Sequence, residues 1–597
     1  MTRPRVLIMI RAQHTHWGDP HTWGLPTRPT RWGLLSGPAA SLRRMACLGV
    51  VSDLADDVVS ERLMEVGPDA VSSRPGWSVL PKTHAVQAIA FVLLAVLLPL
   101  AEVAALFTGA ASQHWTYTVF IDVALTVYSG ARLATFLGGA RPSYLGVVFF
   151  IFVYVWMGLA AVAQTASQTW PFGDVLSPDI QLQGALVVAT GTVLYDAGRL
   201  LSRLLHRERQ AVVPHRIRQL STSRSVILGW IVIITSPLAV YSLGGLAAQF
   251  QNRDAADAAL FPAGVINGVA QQQILLGSLA RDGWTVVAFV ALYALLLVRR
   301  ERRIAGLPAK VSHRLLLFGL LGANVVINSP FANARFWLGT MLIALLLARP
   351  FSLRWLGKVT FLVCMLVGTA VIFPYGNIFR NAASYQSTQD ISVVRAFQTL
   401  PDYDASFEVA ATVQYVEVNG LSMGRQLLGT ATFWVPRHYW PTKPEDTGLV
   451  LGYFYGTPTP NISAPIWAEG FIDFGWLGVA VIMMLVGYGS ATLDRGWGAK
   501  VGPLEFSRVV LPLLAGYSFI LLRGSLLQAM GRLTVFCLLL WLLCRRTDIF
   551  VVTFTGDKVT DLQAYDKVNR PGIDGGSIAW RRRSHGTDQE PSTSVSG

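Results

Sequence analysis

The sequence predicts an all-α polytopic membrane protein of about twelve transmembrane helices with one large extracytoplasmic loop, and three observations support this fold class. Of the 597 residues, 52% are hydrophobic and only 14% are charged, which is little charge for a soluble chain of this length. The apolar residues form blocks of the length, roughly 20 residues, that crosses a hydrocarbon core as a helix. The connectors between these blocks are short, except for one polar segment over 375–470.

The apolar blocks give the predicted spans directly, because Leu, Val and Ala runs satisfy their backbone hydrogen bonds as helices inside a bilayer. Polar residues from Asn324 to Arg335 interrupt the seventh and eighth blocks, and both blocks are short. The predicted spans are 85–107, 116–138, 143–165, 180–202, 225–247, 284–298, 315–329, 332–348, 356–374, 472–493, 508–528 and 530–545.

The distribution of Lys and Arg predicts the orientation of these spans. The connectors after the fourth and sixth spans are rich in arginine, whereas 108–115 and 166–179, on the other side, contain no Lys or Arg. The positive-inside rule places the basic side in the cytoplasm. Both termini are then cytoplasmic, and the segment 375–470 faces outward.

Five regions follow from this topology. We predict a disordered cytoplasmic arm, nine transmembrane helices, the extracytoplasmic loop, three further transmembrane helices and a disordered cytoplasmic tail. Their boundaries are 1–83, 84–374, 375–470, 471–546 and 547–597.

The net charge of +14 does not indicate nucleic acid as a partner, because the arginines lie between spans and not on one face or in one domain. The four cysteines form no CxxC pair, and three of them lie in apolar blocks. They predict neither a disulfide framework nor a metal site.

The outward loop has local structure of its own. Phe407, Ala410, Ala411 and Tyr415 recur at helical spacing, Asp404 or Ser406 is a candidate N-cap, and Asn419-Gly420 is a stop signal. We expect an amphipathic helix on the membrane surface or against the outer helix ends. Proline-rich stretches at 436–444 and 457–465 fix φ and favour a preformed loop.

Cations on the outward side are the first candidates for substrate binding, since the positive-inside rule depletes that side of Lys and Arg. A guanidinium matches phosphate oxygens bidentately, so several of them together suit a lipid diphosphate; headgroup contacts or ordinary ion pairs are the alternative for each. These residues are Arg335, Arg380, Arg437, Lys443, Arg523 and Arg532.

Glu469 and Asp473 enter the tenth span four residues apart, which would place both carboxylates on one helical face. Glu469 is a candidate general base or acceptor-orienting group, whereas helix-dipole stabilisation is the favoured interpretation of Asp473. His438 is a candidate proton acceptor, although a loop histidine is more often merely solvated. Asp402-Tyr403-Asp404 is similar to a metal-binding DxD, but a helix start explains it better, and we predict no metal.

The aromatic residues of the loop have flat apolar faces with polar edges. Trp434 and Trp440 are candidates for contact with sugar rings, and anchoring at the headgroup level is the alternative.

Two motifs in order carry a family resemblance: Phe433-x-x-Pro-Arg-x-x-Trp-Pro-x-Lys-Pro444, and then, after Ser463-x-Pro465, Glu469-x-x-x-Asp473-Phe-Gly475-x-x-Gly478. The chain resembles the O-antigen polymerases, the Wzy-type oligosaccharide repeat-unit polymerases of bacterial surface polysaccharide assembly. The dense match covers about 430–480, with Asp473 where the family pattern leads us to expect Asn, and the arm before residue 84 has no counterpart.

The resemblance implies a GT-C-like bundle in the cytoplasmic (inner) membrane. It implies an enzyme that transfers a growing glycan from undecaprenyl pyrophosphate to the next lipid-linked repeat unit on the outer face, without cofactor or metal. Arg437 and Lys443 would be pyrophosphate-binding or loop-ordering groups, and Glu469 an acceptor-orienting or basic group. The partners implied are the lipid-linked glycan, the bilayer, a chain-length regulator and a flippase, with no nucleic acid.

Two alternatives remain open at this point. An O-antigen ligase, or another polyprenyl-phosphate-dependent glycosyltransferase, would use the same outward chemistry. A lipid-linked glycan flippase belongs to another class and would predict inverted repeats.

Overall fold

The computed structural model describes residues 5–11, 81–108, 115–139, 143–172, 176–205, 216–251, 269–308, 310–348, 355–372, 393–457, 462–498 and 504–554. Each predicted span coincides with a helix, because runs of apolar residues uninterrupted by helix-breaking residues fold this way. The helices before the large loop are α1 (Pro81–Phe91 and Leu98–Thr108 around a π-helical turn, Val92–Leu97), α2 (Tyr117–Gly138), α3 (Tyr144–Phe152 and Ala160–Ser167 around a π-helical turn, Val153–Leu159), α4 (Pro178–Leu205), α5 (Thr222–Ser242), α6 (Gly245–Gln249), α7 (Val269–Ile304), α8 (Val311–Ile327), α9 (Arg335–Leu347) and α10 (Trp355–Val367, continued by the π-helical turn Gly368–Ile372).

The predicted loop contributes shorter helices, and three long helices follow it. They are α11 (Val393–Thr399), a 3₁₀ turn (Pro401–Tyr403), α12 (Ala405–Asn419), α13 (Arg425–Ala431), α14 (Thr447–Tyr455), α15 (Ile466–Gly498), α16 (Phe506–Arg523) and α17 (Leu526–Leu543).

In the described part of the chain, eight helices are long and apolar enough to cross a membrane. Three shorter apolar helices, Val311–Ile327, Arg335–Leu347 and Leu356–Ile372, accompany them. The prediction of a helical polytopic membrane protein is therefore confirmed at this level. The eight are His84–Phe107, Tyr117–Gly138, Tyr144–Ser167, Thr222–Ser242, Arg281–Ile304, Ile466–Arg495, Phe506–Arg523 and Leu526–Leu543.

Glycines allow the central helices α4 and α15 to pack closely. A Cβ on Gly487 would overlap the carbonyl oxygen of Tyr195, and a Cβ on Gly198 would overlap that of Met484. Small residues at such crossings let two backbones meet within a membrane bundle. The pair places the amino-terminal half of α15 beside the outer loop.

Charged side chains within the bundle are paired. Arg132 donates to Asp196 at 2.7 Å, and Arg199 and Asp494 form an ion pair at 3.3 Å in which both side chains are almost fully buried. Pairing inside the bundle was one of the two options for charges in spans.

A three-stranded antiparallel sheet lies at the end of the bundle opposite the large loop. Strand β3 (Cys544–Phe554) is central, flanked by β1 (Arg5–Arg11) and β2 (Arg216–Leu220). The sequence predicts a disordered arm and tail, whereas β1 and β3 are strands, because these stretches are rich in β-branched and aromatic residues. The other residues of the arm, and the tail beyond Phe554, lie outside the described residues.

Helix α12 confirms the periodicity seen in the loop and ends at Gly420, whose φ is 79°. Two details differ from the prediction. Asp404 stands at the N-cap position but makes no side-chain capping bond. The first half of the helix is buried, and it packs against α4, where Ala410 meets Gly184.

Candidate functional site

Helix α15 is broken, and the break builds one wall of the site. Gly475 has φ 58° and ψ −140°, a conformation essentially restricted to glycine. A Cβ on Gly478 would overlap the carbonyl oxygen of Gly470, although residues eight apart in a continuous helix are about 12 Å apart. The chain therefore turns back sharply, and Ile466 to Asp473 form a separate short helix. This turn gives a physical reason for the spacing of Asp473, Gly475 and Gly478.

The short helix holds Glu469 between the starts of two other helices. Its Oε1 accepts from the backbone N–H of Leu526 at 2.8 Å, and its Oε2 accepts from Oγ1 of Thr447 at 2.7 Å. The residue is 1% exposed. Unpaired N–H groups and the positive end of the helix dipole favour an anion at such a place. Glu469 thus joins the start of α14 to the start of α17.

Asp473 serves a different helix. Its carboxylate accepts from the N–H groups of Gln426 at 3.0 Å and Leu427 at 2.7 Å, and from the hydroxyl of Ser422. It therefore caps α13 from another segment and does not stabilise its own helix, as we expected from the sequence. Glu469 and Asp473 contact separate elements and do not form a carboxylate pair.

Two of the predicted cations meet at the turn before α12. Arg335 donates to both carboxylate oxygens of Asp402 at 3.0 Å. Arg523 donates to the carbonyl oxygens of Pro401 and Asp402, at 2.8 and 3.1 Å, and to Oδ1 of Asp404 at 2.9 Å. The two guanidinium groups are therefore held over one turn of the backbone.

A third cation lies at the same helix start. Arg532 pairs with Asp282, with its Nε 2.8 Å from Oδ1, and its guanidinium is 5.6 Å from the ring centre of Trp337. The guanidinium of Arg523 is 5.2 Å from the ring centre of Phe336. Arg335, Arg523 and Arg532 thus surround the amino-terminal end of α9. Their side chains are 17%, 18% and 15% exposed, so each reaches the surface.

Two buried acids behind these arginines were not identified from the sequence as site residues. Asp404 accepts from Oγ of Ser463 at 2.7 Å as well as from Arg523. Glu408, one turn further along α12, is 0% exposed. Burial raises the pKa of Asp404, against the opposing effect of Arg523, and burial together with the charge of Asp404 raises the pKa of Glu408 well above its ordinary value. Acids four residues apart are the available sequence signal, but it does not distinguish this cluster from a helix start.

Arg437 and Lys443 organise the aromatic loop. Arg437 donates to the carbonyl oxygens of Lys443 at 2.7 Å and Pro444 at 3.2 Å. The ammonium of Lys443 donates to the carbonyls of Thr432, Phe433 and Val435 at 3.2, 2.7 and 3.0 Å. Lys443 is 8% exposed, and burial followed by the charge of Arg437 lowers its pKa. This geometry fits the loop-ordering role of the two that the resemblance implies.

The remaining predicted residues lie outside the cluster. Trp434 is 69% exposed, His438 is exposed beside Tyr439, and Trp440 donates to Oγ1 of Thr442 at 3.1 Å. Arg380 lies outside the described residues. The loop therefore presents aromatic edges at the surface, away from the arginines over α9.

An apolar cavity of about 370 Å³ begins where the polar cluster ends. Ile466 and Leu526 line it, and these residues adjoin Glu469, while Leu522 adjoins Arg523. It extends along α15 and α17 toward Tyr195 and Ser490. Leu485 in its wall is 64% exposed on the outside of the bundle, so the cavity borders the surface that lipid would cover. Other lining residues are Leu145, Phe149, Leu427, Ile482, Val486, Ser518, Leu521, Met530 and Leu533.

Comparisons with protein-family models, with curated proteins and with solved structures found no match to this chain. Within the described ranges, no group of three or more His, Cys, Asp or Glu side chains is arranged to hold a metal ion.

Proposed function

We propose that the protein polymerises oligosaccharide repeat units linked to undecaprenyl pyrophosphate, forming a surface polysaccharide on the outer face of the cytoplasmic membrane. The observation that carries this proposal is the continuity between an apolar cavity and a cluster of arginines at its outer end. A lipid-linked diphosphate has the same two parts, a long apolar chain and an anionic head.

The cavity suits the lipid chain. Its lining is apolar apart from Tyr195, Ser490 and Ser518, and burying apolar surface contributes about 25 cal/mol per Å². Its border at Leu485 would allow a lipid to enter sideways from the bilayer. The chain would lie between α15 and α17.

The arginines at the start of α9 suit the diphosphate. Arg335, Arg523 and Arg532 each reach the surface and are joined there by the positive end of a helix dipole. Exchange of their carboxylate partners for phosphate oxygens would create bidentate charge-assisted bonds. Fixed cations in a partly dry site also stabilise the charge of the leaving diphosphate.

The other predicted residues support this site in different ways. Glu469 would orient the acceptor through the helix starts that it joins. Arg437 and Lys443 would hold the aromatic loop in shape, and Trp434 and Trp440 would contact sugar rings of the glycan. His438 remains a candidate for contact with a glycan hydroxyl.

The proposal includes the finer topology. All twelve apolar helices would span the membrane as a GT-C-like bundle, with both termini in the cytoplasm and the arginine cluster outside. Binding and alignment of two lipid-linked substrates at one membrane surface would supply much of the catalysis. A flippase and a chain-length regulator would be its protein partners.

An O-antigen ligase would require the same cavity and arginines, and is therefore the second candidate. A flippase is less well supported, because the turn at Gly475 lies at the outer end of α15 and not in its middle.

A deletion strain tests the function. We expect lipid-linked single repeat units to accumulate and long chains to disappear, and we expect the wild-type gene and Arg395→Gln to restore them. Arg395 is an exposed arginine on α11 and is the matched control. Arg335→Gln should fail to restore long chains while the protein still accumulates in the membrane. Unchanged chain length in the deletion strain would reject a polymerase, and intact long chains that are no longer attached would indicate a ligase.

A further inference from the structure

Glu408 is a buried carboxyl that the site has not yet explained. Among the residues that the structure describes, neither of its oxygens has a hydrogen-bond partner, and the residue is 0% exposed. Buried polar groups in proteins are nearly always partnered. An unpartnered one beside a charged cluster therefore indicates a group that acquires its partner in another state of the site.

The charged groups around this carboxyl are few. On its own helix Asp404 lies one turn before it, and Asp402 lies in the preceding turn. From α16 Arg523 faces both Asp404 and Glu408, and from α9 Arg335 pairs with Asp402. The segment before α15 contributes Ser463, a neutral donor. Arg523 is the cation that compensates Asp404, and it reaches the surface while Asp404 is 1% exposed.

We propose that Asp404 accepts the proton of the acceptor sugar hydroxyl, and that Glu408 is a positioning residue that donates a hydrogen bond to Asp404 when Arg523 turns to the diphosphate. This proposal rests on the proposed function. It assigns to the buried acids a step that Glu469 cannot readily perform, because both oxygens of Glu469 already accept structural hydrogen bonds.

The chemistry balances without any further reactant. The acceptor oxygen forms a bond to the anomeric carbon of the donor glycan, and its proton passes to the carboxylate of Asp404. The bond between the anomeric carbon and the diphosphate oxygen breaks, and its electron pair leaves with the undecaprenyl diphosphate. Asp404 then releases the proton to water when Arg523 returns.

Glu408 has the properties that this step requires. Burial and the charge of Asp404 favour its neutral form, which carries an O–H donor. Residues four apart on a helix face each other, so this donor can reach Asp404 after a change of rotamer. It would replace the bond lost from Arg523 and keep Asp404 ionised and ready to accept the proton.

The first test uses purified protein in lipid nanodiscs, with polymerisation of lipid-linked repeat units and binding of undecaprenyl diphosphate measured separately. Asp404→Asn should lower turnover by about 10²- to 10⁴-fold, the usual contribution of a general base, while diphosphate binding is retained. Glu417→Gln, a change at an exposed carboxylate on the same helix, should leave both unchanged. Turnover of Asp404→Asn within about threefold of wild type would overturn the proposal.

The second test separates positioning from folding and decides the matter if Asp404→Asn does not accumulate. Glu408→Gln keeps a donor and should retain turnover. Glu408→Leu lacks one, so the pKa of Asp404 should rise and the acidic limb of the pH–rate profile should move up by about one to two pH units. Identical profiles for the two variants would overturn the proposal. A wild-type protein that neither binds undecaprenyl diphosphate nor makes polymer would instead reject the proposed function itself.

Discussion

Replacing Arg523 with Met should leave a buried carboxylate without its cation. The guanidinium donates three hydrogen bonds, one to Asp404 and two to the carbonyls of Pro401 and Asp402. Removing one partner of a buried ion pair costs about 3–5 kcal/mol, because the remaining charge stays desolvated. The double variant Arg523→Met/Asp404→Asn removes both charges and should recover a large part of that loss.

The loss should depend on pH with a defined sign. Burial raises the pKa of Asp404 in the folded protein, so between its unfolded and folded pKa values the folded state binds more protons and stability falls as pH rises. Without Arg523 the folded pKa is higher still, and this window extends upward. The deficit of Arg523→Met relative to wild type should therefore be larger at pH 8 than at pH 5.

The assay is unfolding in mixed micelles by titration with a denaturing detergent, followed by tryptophan fluorescence at both pH values. A deficit below about 1 kcal/mol, or an equal deficit at pH 5 and pH 8, would refute the reasoning. Arg395→Met, at an exposed position, is the control and should change stability by less than about 0.5 kcal/mol.

Three further predictions concern the break in α15, the aromatic loop and the cavity. Gly478→Ala should lower the melting temperature and abolish polymerisation, because its Cβ would overlap the backbone of the short helix, whereas Gly489→Ala, with open space around it, should do neither. Lys443→Met leaves three carbonyl oxygens without their donor, so limited proteolysis should cut the aromatic loop faster, and an unchanged rate would contradict the loop-ordering role. Ser518→Phe fills part of the cavity wall and should weaken undecaprenyl diphosphate binding at least tenfold without lowering protein yield; unchanged binding would place the lipid elsewhere.

The helices could be predicted from the sequence because length and hydropathy are local properties. The loop helix was predicted for the same reason, from the spacing of Phe407 to Tyr415 and the stop at Gly420. The reversal at Gly475 could not be predicted, since glycine has many uses and only the contact between Gly470 and Gly478 defines the turn. The sequence therefore places the start of the tenth span six residues later than the helix begins.

The site could be predicted in part. Charges opposing the positive-inside rule pointed to Arg335, Arg523 and Arg532, which the fold brings to one helix start. The same signal also selected Lys443, whose ammonium is used on backbone carbonyls. A sequence shows that a cation is present, but which acceptor satisfies it is a property of tertiary structure. For that reason Glu408, an ordinary helix residue by pattern, was also missed.

Photocrosslinking tests the central claim most directly. A benzophenone amino acid at Leu533, which lines the cavity, should crosslink undecaprenyl diphosphate in a saturable way in purified protein. The same probe at Leu538, on the same helix and 53% exposed, should give only weak crosslinking that does not saturate. Equal, unsaturable crosslinking at the two positions would contradict the account.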